Sequence, residues 1–314
     1  MLEGRNDMGV TATRAAMTLV WLVIGGSMAG NAQSGGSNIV ATGATLQKVS
    51  GEFEFTEGPA SDKKGDIYFT DQPNDRIMKW SATDGKITTF MKPAGRSNGL
   101  CFDSQGNLWA CADEKNEMWK ITPKGKATVV IKNYDHKLLN GPNDVWLRPD
   151  GGLYFTDPYY KRDYWKRGPI EQDVHGVYYL APDHKRMVRV VNDLQQPNGI
   201  IGTPDGKTLY VADIDANKSY AYDIQPDGSL ANKRLFCELG SDGMTIDNEG
   251  DVYLTGKPGV TVFDKTGKQI EQIPIAEDWT ANICFGGKDR HTLFITASKS
   301  VYTMKMRVKG VGSQ

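Results

Sequence analysis

Six side chains that carry oxygen donors recur along the chain: Glu57, Asn98, Asn143, Asn198, Asp242 and Asn282, separated by 41, 45, 55, 44 and 40 positions. Two are carboxylates and four are amides; none is His or Cys. Hard divalent cations bind carboxylate and amide oxygens, and two carboxylates balance the charge of one such ion. Gathered around one point, these residues would polarise a carbonyl and acidify a water, with a carboxylate to take the proton. A second account of the same residues stays open. Asn and Asp before Gly start turns by bonding their own backbone. That account suits Asn98 and Asn282 better than Glu57, because Glu is a poor turn former.

The elements that must position these heads repeat with them. Glu57 leads to GDIYFTD at 65–71, Asn98 to GNLWACAD at 106–113 and Asn143 to GGLYFTD at 151–157. Asn198 leads to GKTLYVAD at 206–213, Asp242 to GDVYLTG at 250–256 and Asn282 to HTLFITA at 291–297. Each copy has the turn residues, the alternation and the β-branched or aromatic enrichment of a hairpin. Further strands are expected at 76–80, 117–121, 176–180, 219–224 and 260–264. Six units of three to four strands, with almost no helical periodicity, predict an all-β, six-bladed β-propeller. The segment 44–49 precedes the first head and is expected to supply the outer strand of the last blade, closing the ring.

Composition sets the class. The chain has 314 residues, with 37 Lys and Arg against 38 Asp and Glu, which excludes a nucleic-acid binder that works by overall basicity. Four cysteines, Cys101, Cys111, Cys237 and Cys284, lack CxxC spacing and read as buried thiols, neither a disulfide framework nor a zinc site. At the N-terminus, Arg5 and Arg14 precede the apolar run 15–29, and small residues follow at 30–32. This is the layout of a secretory signal peptide over 1–32, with a retained anchor as the alternative. Residues 33–38 read as a flexible lead-in and 39–314 as the propeller domain. The mature chain is expected to be secreted or periplasmic, with no membrane span.

The stretches FTEGPA (55–60), LNGPNDVWLRPDGGLYFTDP (139–158), QQPNGIIGTPDGKTLYVAD (195–213) and GSDGMTIDNEGDVYLT (240–255) resemble the gluconolactonase, senescence marker protein (regucalcin) and luciferin-regenerating-enzyme family. The resemblance implies a six-bladed propeller with one divalent cation in its channel: Ca²⁺ first, with Mg²⁺, Mn²⁺ and Zn²⁺ as alternatives. It also implies that Glu57, Asn143, Asn198 and Asp242 are the metal-binding set, Asn143 touching substrate as well. Family members that bind sugar lactones as regucalcin does carry an Arg two residues before that Asn, where this chain has Gly141.

Together these observations lead to a hydrolase that opens a small-molecule lactone, with Asp242 as ligand and catalytic base. Asn98, Asn143, Asn282 and His175 are the expected substrate contacts, with His175 as a structural residue the alternative. Two rivals remain: a noncatalytic ligand-binding or scaffold propeller, and a phosphoester or organophosphate hydrolase on the same carboxylates. Monomer and oligomer are both open. The excess of the longest interval falls in 157–175 (DPYYKRDYWKRGPIEQDVH), a lid over the channel or a solvated loop. Three short motifs fail on context. GRSNG at 95–99 is followed by no helix, DIDAN at 213–217 lacks the Gly and Glu of a calcium loop, and GTPDGKT at 202–208 is one residue short of a P-loop.

Overall fold

The computed structural model describes residues 39–311, so the expected signal segment 1–32, the lead-in 33–38 and the last three residues lie outside the described residues. Among the described residues six four-stranded antiparallel sheets follow one another along the chain, with a two-stranded hairpin, Asn133–Tyr134 and Lys137–Leu138, between the second and the third. Blade one is Thr56–Ser61, Ile67–Asp71, Arg76–Trp80 and Ile87–Met91, and blade two is Ser97–Phe102, Leu108–Ala112, Glu117–Ile121 and Ala127–Ile131. Blade three is Val145–Leu147, Leu153–Asp157, Gly176–Leu180 and Met187–Val191. Blade four is Pro197–Gly202, Thr208–Asp213, Lys218–Ile224 and Leu230–Cys237. Blade five is Met244–Ile246, Val252–Thr255, Gly259–Phe263 and Gln269–Pro274. Blade six takes Thr280–Gly286, Thr292–Ala297 and Ser300–Lys305 from the C-terminal part, and its outer strand is Gln47–Ser50. That strand pairs Gln47 with Thr303 and Lys48 with Tyr302, so the two ends of the propeller are joined in one sheet.

The first strands of successive blades touch in cyclic order, and the core lies between blades. Six apolar clusters each bridge two neighbours. Leu100, Phe102 and Leu108 of blade two pack on Ala60 and Ile77 of blade one, and Phe69 of blade one meets Phe294 of blade six at 5.5 Å. Second strands such as Leu153–Asp157 are buried throughout, whereas outer strands such as Ile87–Met91 expose every Thr they carry. Burial thus falls from axis to rim, as radial stacking of sheets requires.

The repeat seen in the sequence has a mechanical cause. The Thr of the FTD-type ending reaches the next blade: Thr70 Oγ1 donates to the Asn98 carbonyl at 3.2 Å, Thr156 Oγ1 to the Asn198 carbonyl at 2.8 Å, and Thr255 Oγ1 to the Ala281 carbonyl at 2.7 Å. The Asp of the same ending holds the backbone just ahead of its own head. Asp157 accepts from the Asn140 and Gly141 amides at 2.9 and 2.8 Å, and Asp213 from the Gln195 and Gln196 amides at 2.8 and 2.9 Å. Asp71 does the same for Glu54 and Phe55. Blades one and three therefore each lock their own head and brace the next, while blade four carries only the Asp device and blade five only the Thr device. Charge-assisted bonds of this kind are stronger than neutral ones.

Candidate active site

At the heads the sheet ladder is interrupted. Register shifts fall at Glu57, beside Asn98, beside Asn198 and at Asn282, while the first strands of blades three and five begin only after Asn143 and Asp242. A bulge re-aims a side chain out of the alternation. The glycine after the head permits the close approach that follows. A Cβ on Gly58, whose φ is +40°, would lie 2.1 Å from the Asn98 carbonyl oxygen, and one on Gly99 would lie 2.5 Å from Asp144 Oδ1. Only glycine lets the inner strands converge so tightly.

All six heads are buried, Glu57 at 2% and Asp242 at 8% exposure. Burial, followed by the charge of Asp242, pushes the Glu57 carboxyl well above the usual carboxylate range; its backbone partner, the Gly58 amide at 2.9 Å, opposes this. Asp242 is likewise raised by burial, against the hydrogen bonds of Trp279 and Asn198. Trp279 Nε1 donates to Asp242 Oδ2 at 2.6 Å, which commits one carboxylate oxygen and leaves Oδ1 for other partners. Asn198 Nδ2 donates to the Tyr160 hydroxyl at 2.8 Å, and its Oδ1 is buried without a hydrogen-bond partner. The Asn98 Oδ1 atom is also buried and unpartnered. The backbone of Asn143 is fixed on both sides, its N–H donating to the Thr156 carbonyl at 2.9 Å and its carbonyl accepting from Gly99 at 2.7 Å.

Two predicted substrate contacts have protein partners of their own in the structure. Asn282 Oδ1 accepts from the Ile283 amide at 2.8 Å, the local bond that the turn-forming account supposes, while the Asn282 amide supports both Glu57 and Asp144. His175 Nδ1 meets the Gln195 carbonyl oxygen at 2.5 Å and ties the end of the 157–175 segment to blade four. Among the described residues no hydrogen bond joins His175 to a head.

Three neighbours of the heads are not among the residues that the sequence predicts. Asp144 occupies the position that Gly fills after four of the six heads, a departure visible in the repeat. It accepts from the Val145 amide at 3.0 Å, and burial pushes its carboxyl up to about 7, aided by the charge of Asp242. Trp279 and Tyr160 stand 37 and 38 positions from the heads they bond, and no local pattern marks them.

A divalent cation fits this donor set. Two carboxylates raised by burial, Glu57 also by the charge of Asp242, and buried amide oxygens without partners are groups that a positive ion would satisfy together. Among the described residues no three His, Cys, Asp or Glu side chains gather as a metal cluster, so a cation here takes amide oxygens alongside Glu57 and Asp242. That mixture suits a hard ion.

The sequence profile described as SMP-30/Gluconolactonase/LRE-like region matches residues 55–299. The chain belongs to this family. It is 27% identical to a gluconolactonase of Zymomonas mobilis over 344 aligned positions, covering 94% of each chain. It is 26% identical to the diisopropyl-fluorophosphatase of Loligo vulgaris, over 79% of this chain and 87% of the other. The solved structure of a gluconolactonase from Xanthomonas campestris superposes with a TM-score of 0.80 at 27% identity, covering 85% of this chain and 91% of that one. Among the described residues no helix is long and apolar enough to cross a membrane.

Proposed function

We propose that the chain is a divalent-cation-dependent hydrolase that opens a sugar lactone at the ring of heads. The observation that carries this reading is the pair of buried, raised carboxylates, Glu57 and Asp242, set among unpartnered amide oxygens in a member of the gluconolactonase family. Glu57, Asn143, Asn198 and Asp242 would hold the cation, with Ca²⁺ the best match to an all-oxygen set. Once bound, the cation supplies Lewis acidity toward the lactone carbonyl.

The chain's own residues do the rest. Trp279 fixes Asp242 through Oδ2, so Oδ1 is the oxygen offered to water. As the water oxygen bonds to the carbonyl carbon, Asp242 takes its proton; when the acyl C–O bond breaks, the same proton passes to the ring oxygen, giving a hydroxy acid. Burial raises Asp242 toward neutral pH, where a general base is most effective. Asn98, with a free Oδ1, is better placed to meet a sugar hydroxyl than Asn282, whose Oδ1 is already engaged.

The test is hydrolysis of glucono-1,5-lactone by metal-stripped protein, with Ca²⁺, Mg²⁺, Mn²⁺ and Zn²⁺ added back singly. Turnover restored by one ion and lost in Asp242→Asn supports the reading; full activity of that variant overturns it. The likeness to diisopropyl-fluorophosphatase favours a second reading, organophosphate hydrolysis on the same residues. A phosphotriester in the same assay separates the two. We further propose that segment 1–32 directs export, which N-terminal sequencing of the mature chain tests.

A further inference from the structure

The segment between Asp157 and Gly176 leaves the end of one strand of blade three and returns at the start of the next, yet its contacts reach blades two and four. On blade two it is anchored at Asp113, which is buried in a short turn after the second strand. Tyr164 donates its hydroxyl to Asp113 Oδ2 at 2.9 Å, and Arg162 Nε lies 3.6 Å from the same oxygen. Asp113 stands where Asp71, Asp157 and Asp213 hold the backbone ahead of their heads, but here Asp75 has that task, its Oδ1 accepting from the Ala94 and Arg96 amides at 2.9 and 2.7 Å. The Asp113 carboxylate is thereby released to the segment. From this anchor the Arg162 guanidinium lies over the Tyr160 ring at 5.1 Å. On blade four, Gln196 Nε2 donates to the Tyr159 carbonyl at 3.2 Å. Tyr160 is therefore held between two blades, with its hydroxyl against Asn198 and within the field of Asp242.

A phenol oxygen has two lone pairs and one proton. Both lone pairs meet nitrogen donors: Asn198 Nδ2 donates at 2.8 Å and the side chain of Gln196 donates as well, bonds of the kind that favour a phenolate. The Asn198 side chain also bonds Asp242, so one amide links the tyrosine to the proposed base. With its acceptor sites filled, the hydroxyl can only donate, and among the described residues no hydrogen bond takes its proton. Tyr160 keeps part of its surface exposed whereas the six heads are buried, so a ligand can reach it. Of the two oxygens on the reacting carbon, the carbonyl is polarised by the cation, and the ring oxygen still lacks a donor. We propose that Tyr160 is a further catalytic residue, whose hydroxyl donates a hydrogen bond to the ring oxygen of the lactone. That atom gains negative charge as the acyl C–O bond breaks; the tyrosine keeps its proton, and the one taken by Asp242 completes the hydroxy acid. A donor held by the fold and aimed where charge develops costs no reorganisation during the reaction. The inference rests on the lactone-hydrolase reading. It gives the longest interval of the repeat a part in the chemistry that neither a simple lid nor a solvated loop would have.

Steady-state kinetics of the full chain on glucono-1,5-lactone, with the ion that restores turnover, test it. Tyr160→Phe removes only the hydroxyl and is expected to lower kcat about 10²-fold, the lower range for loss of one preorganised donor to developing charge. KM is expected to stay within about twofold, because the bond strengthens only in the transition state. Affinity for the ion by calorimetry, and the melting temperature, are expected to match those of the parent. Unchanged kcat overturns the inference. A loss confined to KM also overturns it, because the hydroxyl would then meet a part of the substrate that does not react. So does a loss of kcat that comes with a matching loss of ion affinity or with a lower melting temperature, since the tyrosine would then act by packing against Asn198. Absence of turnover in the parent chain with each of Ca²⁺, Mg²⁺, Mn²⁺ and Zn²⁺ overturns the lactone-hydrolase reading itself, and is told apart because no variant is needed to see it.

Discussion

The two ends of the channel are built from the same six strands and differ in chemistry. At one end stand the heads, with Glu57 and Asp242 buried, raised and within each other's field. Further along the inner strands opens a cavity of about 420 Å³, walled by Leu100, Trp146, Ile200, Met244 and Phe285 and rimmed by the hairpin turns that follow. Cys101 and Cys284 also face it; burial pushes the Cys101 thiol up to about 12 and that of Cys284 higher still, so both are inert. The cavity has the size of a ligand site and its wall reaches the head Asn282 and Asp144, but Glu57 and Asp242 do not line it. Size alone therefore does not single out the paired carboxylates. The head end is marked by groups whose burial is costly unless something charged meets them.

The sharpest way to break this contrast is to remove charge at one end and apolar volume at the other. Asp242→Asn and Glu57→Gln are expected to lower lactone turnover by ~10²–10⁴-fold, the usual contribution of a general base. Cys101→Ala, at the far end, is expected to leave turnover within about twofold, since it touches no head and only trims packing. Equal losses in the two sets, measured as kcat/KM, would mean that the ends act as one site.

A substitution at a seam between blades should instead weaken both ends together. Phe294 is fully buried in blade six, packs on Phe69 and Trp80 of blade one at 5.5 and 5.7 Å, and so helps to close the ring. Phe294→Ala is expected to cost ~3–5 kcal/mol in denaturant unfolding, as large-to-small core changes do. A cost under about 1 kcal/mol would show that the seam holds without it. Cation binding is expected to add stability specific to the head end. Ca²⁺ at a hundred times its dissociation constant should stabilise the parent by about 2.7 kcal/mol and Asp242→Asn by much less.

How far such contrasts could be foreseen depends on the range of the contacts involved. The heads and the propeller were legible because the repeat encodes them. Arg76–Trp80, Glu117–Ile121 and Gly176–Leu180 form strands at the expected bounds, Lys218–Ile224 starts one residue earlier and Gly259–Phe263 is displaced by one. The closing strand, expected at 44–49, is Gln47–Ser50, because its limits are set by pairing with Ser300–Lys305 at the other end of the chain. Asp144 was legible in principle as a break in a glycine pattern. Trp279 beside Asp242 was not, since an indole 37 positions away is brought there only by the packing of blade five against blade six.

The smallest effect is also the one whose sign is most diagnostic. Burial raises Asp113 to about 6 and Asp144 and Asp157 to about 7, in each case against hydrogen bonds or nearby cations that favour the ionised form. In the unfolded chain these groups titrate near the ordinary Asp value of about 3.9. Between these limits the native state holds more protons than the unfolded state, so the stability they contribute is present in full below the unfolded pKa and is lost as pH rises through 6–7. Metal-free protein is therefore expected to melt higher at pH 5.5 than at pH 8, by about 2–4 °C for each kcal/mol of linkage. Ca²⁺ should weaken or reverse the trend, because it has fewer protons to displace from Glu57 and Asp242 at pH 8 than at pH 5.5. A melting temperature that rises from pH 5.5 to pH 8 without the ion would mean that these carboxylates are ionised and already paired, and the charge argument that separates the two ends of the channel would fail with them.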